Sequence, residues 1–151
     1  MDISEKLRRI NCTFSETAGL YHKLNVTLGL SDSVSDILYA LYSNDGAYPI
    51  LSLREELSMP KQTLNSALRN LEKDGILFLE IYNGRNKKAV LTEKGWEYCK
   101  NTVAHICGME EVVFSEFSDS ELEAFVTLHE KYNASIGRYI EEKARLNDGR
   151  E

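Results

Sequence analysis

Three basic side chains fall within four positions of a turn-forming stretch, residues 80–95 (EIYNGRNKKAVLTEKG), although the formal net charge of the 151-residue chain is -6. The three are Arg85, Lys87 and Lys88. Asn83 and Gly84 are typical of tight turns between strands, so the sequence predicts a β-hairpin with this positive charge at its tip. A basic hairpin tip is suited to lying against phosphates.

A second set of polar side chains lies on a predicted helix from Pro60 to Asp74. Leu64, Leu68 and Leu71 recur at helical spacing and face inward, which leaves polar and basic residues on the other faces. These are Lys61, Gln62, Asn65, Ser66 and Arg69. The amides and the hydroxyl suit hydrogen bonds to base edges in a major groove, and the two cations suit phosphates. An ordinary solvated helix face is the alternative interpretation.

The elements that position these side chains follow from apolar spacing and capping residues. Apolar residues from Ile3 to Leu28 alternate at four and three positions, which predicts a long first helix with one narrow apolar stripe. Ser31 and Ser33 are candidate N-caps of a second helix, and Gly46 is its predicted C-cap.

A helix-turn-helix and a two-stranded hairpin are predicted next. Pro49–Leu51 is predicted to be extended, and Ser52 with Glu55 forms a predicted capping box that opens a short third helix. The helix from Pro60 is the fourth. Residues 76–82 (ILFLEIY) and 89–92 (AVLT) are rich in β-branched, aromatic and apolar side chains and are the predicted strands of the hairpin.

Two further helices complete the predicted chain. Thr92 is the predicted N-cap of one long helix that runs to Phe114, and Ser118 with Glu121 forms a capping box that starts a final helix. The first and last helices carry more apolar stripe than one small core covers, so we expect them to pair with a second copy; folding back onto the same subunit is the alternative. The predicted dimer contacts are Ile3, Leu7, Ile10, Leu122, Tyr132, Ile136 and Tyr139.

The element order helix, strand, helix, helix, strand, strand is that of a winged helix-turn-helix. The predicted fold is mainly α with a small β-hairpin wing (α+β), flanked by long N- and C-terminal helices. The stretches LSMPKQTLNSALRNLEKDGIL and GRNKKAVLTEKG resemble the DNA-binding core of the MarR family of bacterial transcriptional regulators. The flanking helices resemble the dimerisation helices of that family, so the resemblance covers nearly the whole chain.

The resemblance implies a sequence-specific transcriptional regulator that binds a pseudo-palindromic double-stranded DNA operator as a homodimer, and a repressor released by a small molecule or another signal. A winged-helix module that contacts proteins without specific DNA binding is the alternative. The implied DNA contacts are Lys61, Gln62, Thr63, Asn65, Ser66, Arg69, Arg85, Lys87 and Lys88. The implied organisation is a single domain over residues 1–151, with dimerisation helices at 1–30 and 118–151, a DNA-binding core at 31–95 and a connecting helix at 93–117.

The wing departs from the D-x-R-D-x-R pattern that is frequent in the family. Both acidic positions are amides here, Asn83 and Asn86, while the first arginine is retained as Arg85 and the second is replaced by Lys88. The family's aspartates help to brace the arginine, so the departure bears on the rigidity of Arg85. Two fewer negative charges near phosphates favour association with DNA.

Charge is distributed unevenly along the chain. Residues 54–100 hold nine Lys or Arg and seven Asp or Glu, a net of +2, whereas the rest holds nine against 17, a net of -8. An acidic body is compatible with a basic edge because charges are screened beyond about 8 Å at physiological salt. Three cysteines without CxxC spacing fit a reducing compartment, and no apolar run approaches the roughly 18 residues of a membrane span, so we expect a cytoplasmic protein without a membrane partner.

Titratable residues show no catalytic or metal-ligating pattern, so we expect no enzyme activity, no cofactor and no metal site. Cys99, His105 and Cys107 point in different directions on one helix. Some relatives in the family sense oxidants through a cysteine near the start of the first helix, where this chain has Cys12; an inert thiol is the alternative. Family members commonly hold a small molecule between the dimerisation helices and the winged domain. The residues that could line such a cleft, or simply belong to the core, are Tyr21, His22, Tyr39, Tyr42 and Trp96.

Overall fold

A computed structural model describes residues 2–148 of the chain, except for the side chain of Asp148. Residue 1 and residues 149–151 of the predicted dimerisation segments therefore lie outside the described residues. The described chain forms two compact units, residues 2–108 and residues 109–148.

The first unit begins with two helices. Helix α1 spans Ile3–Thr27, as the apolar spacing predicts. Helix α2 spans Asp32–Tyr42, and the Ser31 hydroxyl accepts a hydrogen bond from the Val34 N–H at 3.3 Å. Ser31 is therefore the N-cap of α2, as one of the two predicted candidates.

Gly46 is not the C-cap of α2, contrary to the prediction, because the helix ends at Tyr42 and Ser43 is its C-cap. Gly46 instead lies in the following turn with a φ of 79°, and a Cβ atom at this position would collide with the indole ring of Trp96. Glycine is required here by the positive φ and by the close approach of the ring.

The next two elements begin earlier than the sequence indicates. Strand β1 spans Ala47–Pro49 and helix α3 spans Ile50–Glu56, so only Pro49 of the predicted extended piece is extended. Pro49 is the N-cap of α3 without a side-chain hydrogen bond, and the predicted capping box of Ser52 and Glu55 is therefore wrong. The cause is tertiary, because the pairing of β1 with a later strand ends at Pro49.

The remaining elements of the winged helix-turn-helix follow in the predicted order. Helix α4 spans Lys61–Lys73, with Pro60 as its N-cap. Strand β2 spans Leu77–Asn83, and strand β3 spans Asn86–Leu91. The three strands form an antiparallel sheet in the order β1-β3-β2.

The single long helix predicted after Thr92 is in fact two helices, α5 over Glu93–Lys100 and α6 over Val103–Phe114. Thr92 is the N-cap as predicted, since its hydroxyl accepts a hydrogen bond from the Gly95 N–H at 2.9 Å.

Two side chains account for the break between α5 and α6. The Asn101 amide donates to the Glu97 carbonyl at 2.8 Å, and the Thr102 hydroxyl donates to the Tyr98 carbonyl at 2.7 Å. Each of these carbonyls lies four residues earlier in the chain. The side chains therefore compete with backbone N–H groups for the acceptors at the end of α5, which favours a turn at this point.

The core of the described chain lies wholly within the first unit, between the sheet and the helices around it. Its buried apolar residues are Leu30, Ile37, Leu38, Leu41, Leu53, Leu64, Ala67, Leu68, Leu71, Ile76, Leu77, Ala89, Leu91, Cys99, Val103 and Ile106.

The second unit contains the end of α6 and helix α7, which spans Asp119–Asp148. The predicted capping box is confirmed, because the Ser118 N–H donates to the Glu121 carboxylate at 2.8 Å and the Glu121 N–H donates to the Ser118 hydroxyl at 3.4 Å. Residues 109–147 include no buried side chain. The apolar stripe of α7 is therefore exposed to solvent in the single chain.

Candidate nucleic-acid interface

Helix α4 divides its side chains into two opposite stripes. The buried stripe consists of Leu64, Ala67, Leu68 and Leu71. The other stripe has the same spacing, displaced by two residues, and consists of Gln62, Asn65, Ser66 and Arg69. Two residues correspond to about 200° around a helix, so burial of the apolar stripe directs the polar stripe away from the core. Of the predicted contacts on α4, Asn65 is half-buried, and the exposed ones are Lys61, Gln62, Thr63, Ser66 and Arg69.

The start of α4 is free of a capping side chain. Its N-cap residue, Pro60, makes no side-chain hydrogen bond to the first N–H groups of the helix. Ser58, in the turn between α3 and α4, has a φ of 47°. Unpaired N–H groups at a helix start carry partial positive charge and favour a phosphate.

A hydrogen bond between Tyr48 and Glu56 ties α3 to the sheet. The Tyr48 hydroxyl lies 2.7 Å from each carboxylate oxygen of Glu56. This hydrogen bond raises the pKa of the Tyr48 phenol above its ordinary value. It joins β1 to the last turn of α3 and so helps to fix where α4 begins. Sequence reasoning missed this pair, since it joins two different elements.

The wing is the hairpin of β2 and β3, and its tip is the two-residue turn Gly84–Arg85. Gly84 has a φ of 60°, whereas the φ of Arg85 is not positive. A glycine with positive φ at the first central position is the pattern of a type II′ turn, which matches the twist of a hairpin. The Arg85 side chain is exposed at this tip, as the sequence predicts.

The structure separates the two lysines of the basic cluster. Lys87 is exposed and shares its face of β3 with Ala89, which is buried in the core. Lys88 points to the opposite face because side chains alternate along a strand. Its ammonium group lies 3.2 Å from a carboxylate oxygen of Glu80 on β2. The three predicted cations of the wing therefore have different surroundings, and Glu80 is a neighbour that sequence reasoning did not single out.

The segment LTEKG fastens the base of the wing to the end of α4. The Thr92 hydroxyl donates to the Gly75 carbonyl at 2.6 Å, and the Lys94 ammonium donates to the Asp74 carbonyl at 2.6 Å. Gly95 is buried, and a Cβ atom there would collide with the backbone carbonyl of Ile76. The segment therefore sets the position of the hairpin relative to α4.

The residues considered for a small-molecule cleft take part in packing and in side-chain pairs. Tyr42 and Trp96 form an edge-to-face aromatic pair with their ring centroids 5.7 Å apart. The His22 Nδ1 atom lies 2.9 Å from a carboxylate oxygen of Asp32, and the Asn25 amide donates to the same carboxylate at 3.0 Å. The hydrogen bond from Asn25 holds the pKa of Asp32 below its usual range, and the hydrogen bond from His22 adds a smaller effect in the same direction. Tyr21 and Tyr39 are half-buried.

The cysteines differ in exposure. Cys12 is exposed, and Cys107 is half-buried. Burial, reinforced by Cys107, raises the pKa of the Cys99 thiol to about 11, so this thiol is protonated at neutral pH. Within residues 2–148 no three His, Cys, Asp or Glu side chains are grouped so that they could hold a metal ion. Each helix in this range is too short or too polar to cross a bilayer.

No protein-family model matches the sequence, and no curated protein matches it significantly. Solved structures do match. A MarR family regulator from Neisseria meningitidis superposes with a TM-score of 0.81 at 19% identity, covering 95% of this chain and 99% of that chain. The PcaV transcriptional regulator from Streptomyces coelicolor, solved with its natural ligand, gives 0.63 at 16% identity, covering 90% and 97%. MepR from S. aureus, solved with DNA, gives 0.59 at 21% identity, covering 90% and 99%.

The chain therefore has the winged helix-turn-helix fold of MarR family regulators, with flanking helices included. The predicted resemblance is confirmed at the level of the fold, as is the predicted class of a mainly α protein with a small antiparallel sheet.

Proposed function

We propose that this protein is a sequence-specific DNA-binding transcriptional regulator of the MarR type. The observation that carries the proposal is the polar stripe of α4, which stands opposite the buried stripe and belongs to the same unit as a wing tipped by an exposed Arg85. An exposed helix face with hydrogen-bonding side chains suits a major groove, and a basic hairpin suits phosphates or a minor groove.

The proposed roles on α4 follow from side-chain chemistry. Gln62, Asn65 and Ser66 would hydrogen-bond base edges, because amides and hydroxyls can both donate and accept. The phosphate contacts assigned to this helix are Lys61, Thr63 and Arg69. The Arg69 Nε donates to the carbonyl of Asn65 at 3.4 Å, which directs its side chain back along the helix surface. The open start of α4 adds N–H groups that favour a phosphate.

In the wing, Arg85 is the proposed groove probe and Lys87 the proposed phosphate contact. A guanidinium group is planar and presents several donors, so it fits a narrow groove better than an ammonium group does. Lys88 remains a proposed contact of lower weight, because Glu80 already occupies its ammonium group.

We further propose a homodimer on a pseudo-palindromic operator. Within α1, Ile3 is 65% exposed and Leu7 is 50% exposed, and within α7 Ile136 is 41% exposed and Tyr139 is 61% exposed. Two long helices with exposed apolar stripes are what a dimer interface needs, since a monomer would leave that area in water. A two-fold dimer presents two copies of α4, which matches two related half-sites.

The solved structures of similar fold support these proposals, since MepR was solved with DNA and PcaV with its natural ligand. We propose that this chain likewise binds DNA, acts as a repressor and is released by a small molecule or another signal. The proposal assigns residues 31–95 to DNA binding, 93–117 to a connection, and 1–30 and 118–151 to dimerisation. It includes a cytoplasmic location and no enzymatic activity or cofactor.

The test is a selection of genomic fragments with the full-length protein, followed by binding measurements on the best fragment and on random DNA of equal length. Gln62→Ala should weaken binding to the selected fragment by about 1–3 kcal/mol and should weaken binding to random DNA much less. The reason is that contacts to base edges distinguish one sequence from another. Arg69→Ala is the matched variant on the same stripe. It should weaken both DNAs and reduce the salt slope by about one unit, because it removes a phosphate contact.

Two results would contradict the proposal. If Gln62→Ala loses the same affinity for the selected fragment and for random DNA, α4 does not read bases. A protein that enriches no fragment would instead indicate a winged-helix module that contacts proteins.

A further inference from the structure

We infer that Glu80 is a specificity-determining residue of the wing, because its carboxylate holds the Lys88 ammonium group away from DNA phosphates and so limits non-specific DNA binding. The inference rests on the proposed DNA-binding function and deepens it. Its basis is a cross-strand ion pair, a β-bulge, and the face of the hairpin on which the pair lies.

The ion pair is formed by directly opposed residues of β2 and β3. Glu80 pairs with Lys88 in the strand register, and the distance between the Lys88 Nζ and Glu80 Oε2 atoms is 3.2 Å. The Lys88 side chain is 33% exposed and the Glu80 side chain 50% exposed. The carboxylate competes with any phosphate for the ammonium group and repels the phosphate as well.

The β-bulge near the wing tip creates this pair. Asn83 pairs with Asn86 beside the turn, so an unbroken ladder would place Lys88 opposite Ile81. The register instead shifts between Ile81 and Asn83, which pairs Ile81 with Lys87 and Glu80 with Lys88. The extra residue of the bulge thus brings opposite charges onto one face.

The pair lies on the face of the hairpin opposite that of Lys87, and its effect should fall mainly on non-specific DNA. Lys87 shares its face with Ala89 and Leu91, which are buried in the core that also includes the inner stripe of α4. Lys88 and Glu80 lie on the other face. When α4 occupies a major groove in one fixed register, the wing meets one set of phosphates, and Lys88 is a contact of lower weight among them. In non-specific complexes the protein takes many orientations, and a free Lys88 would contact phosphates in some of them.

The expected magnitude follows from counterion release. One additional phosphate contact steepens the plot of the logarithm of the association constant against the logarithm of salt concentration by about 0.9. Two proteins that differ by this contact and bind equally at about 1 M salt therefore differ about eightfold in affinity at about 0.1 M. Non-specific binding consists almost entirely of such contacts, whereas operator binding also includes base contacts. Release of Lys88 should therefore lower the ratio of specific to non-specific affinity.

The experiment compares Glu80→Gln with wild type by fluorescence anisotropy, on a random-sequence duplex and on the fragment selected from the genome, over a range of salt concentrations. Glu80→Gln keeps the size of the side chain and removes its charge. We expect random-DNA affinity to rise by about eightfold per wing, with a salt slope steeper by about 0.9 per wing, and operator affinity to rise by less.

Two further variants make the test specific. Glu97→Gln on α5 is the control, since Glu97 also pairs with a lysine, Lys100, at 3.6 Å and its replacement changes net charge equally. It should leave both affinities unchanged. The double variant Glu80→Gln, Lys88→Gln should return the random-DNA affinity and salt slope to wild-type values.

The inference is overturned if Glu80→Gln behaves like Glu97→Gln, or if the double variant keeps the raised affinity, because Glu80 would then act without Lys88. A wild-type protein that binds no DNA, or binds all sequences equally, overturns the proposed function itself. These failures are distinct, because the first two are measured on a protein that has already discriminated between the two duplexes.

Discussion

Replacement of Gly95 by alanine should destabilise the first unit by about 3 kcal/mol, because the base of the wing has no room for a methyl group. A Cβ atom at Gly95 would collide with the carbonyl oxygen of Ile76, and it would lie 3.0 Å from the carbonyl carbon and 3.2 Å from the Leu91 Cδ2 atom. The Ile76 carbonyl is backbone and accepts the Thr92 N–H at 3.1 Å. It cannot swing aside as the end of a flexible side chain would.

The magnitude combines opposing effects. Alanine in place of glycine within a helix normally stabilises it by about 1 kcal/mol. Overpacking of a core typically costs about 1–3 kcal/mol and more when backbone must move, and each hydrogen bond lost around Thr92 adds about 1 kcal/mol. The start of α5 would have to move away from the backbone of Ile76, so the unfavourable contributions dominate.

Urea denaturation followed by the fluorescence of Trp96 measures this change directly. Trp96 is the single tryptophan of the chain and adjoins Gly95, so it reports on the first unit. Gly108→Ala is the control, since Gly108 is an exposed helical glycine of α6 where an added methyl group would meet no neighbouring atom within 4 Å. That variant should gain up to about 1 kcal/mol. If Gly95→Ala is as stable as Gly108→Ala, then Gly95 does not lie as close to the Ile76 carbonyl as the structure shows.

Three other perturbations test the wing, the dimer and the capping of α7. Arg85→Ala should weaken operator binding by about 1–3 kcal/mol without changing fold or assembly. Arg85→Lys should restore only part of the lost affinity. If fluorescence anisotropy shows unchanged affinity in Arg85→Ala, the wing is only a structural hairpin. Ile136→Glu should cost several kcal/mol of dimer stability, which sedimentation at low micromolar concentration detects, and a monomeric wild type would refute the proposed dimer. The hydrogen bond from the Ser118 N–H lowers the pKa of the Glu121 carboxyl from 4.5, and the bond from the Ser118 hydroxyl adds a smaller effect in the same direction. Its stabilisation of α7 should therefore be complete above pH 4.5 and disappear as pH falls through the lowered pKa; an NMR titration midpoint at or above 4.5 would contradict this.

Interactions between close neighbours in the chain account for what sequence reasoning anticipated. The caps at Ser31 and Thr92 and the Ser118–Glu121 box each link residues three positions apart. The inner stripe of α4 and the turn at Gly84 depend on helical periodicity and on the conformational freedom of glycine. The break at Asn101 and Thr102 was also local, since both side chains bond carbonyls four residues back, and it could have been anticipated.

The amino-acid sequence predicts the order of the elements, the outward stripe of α4 and the basic turn at Arg85, because these features depend on residues only a few positions apart. Only the folded chain shows that β1 ends at Pro49, that α5 packs onto Ile76 at Gly95, and that Lys88 faces Glu80. Each of these depends on contact between different elements. The partner of Lys88 is set by a one-residue bulge, which shifts the strand register and so changes which side chain it meets.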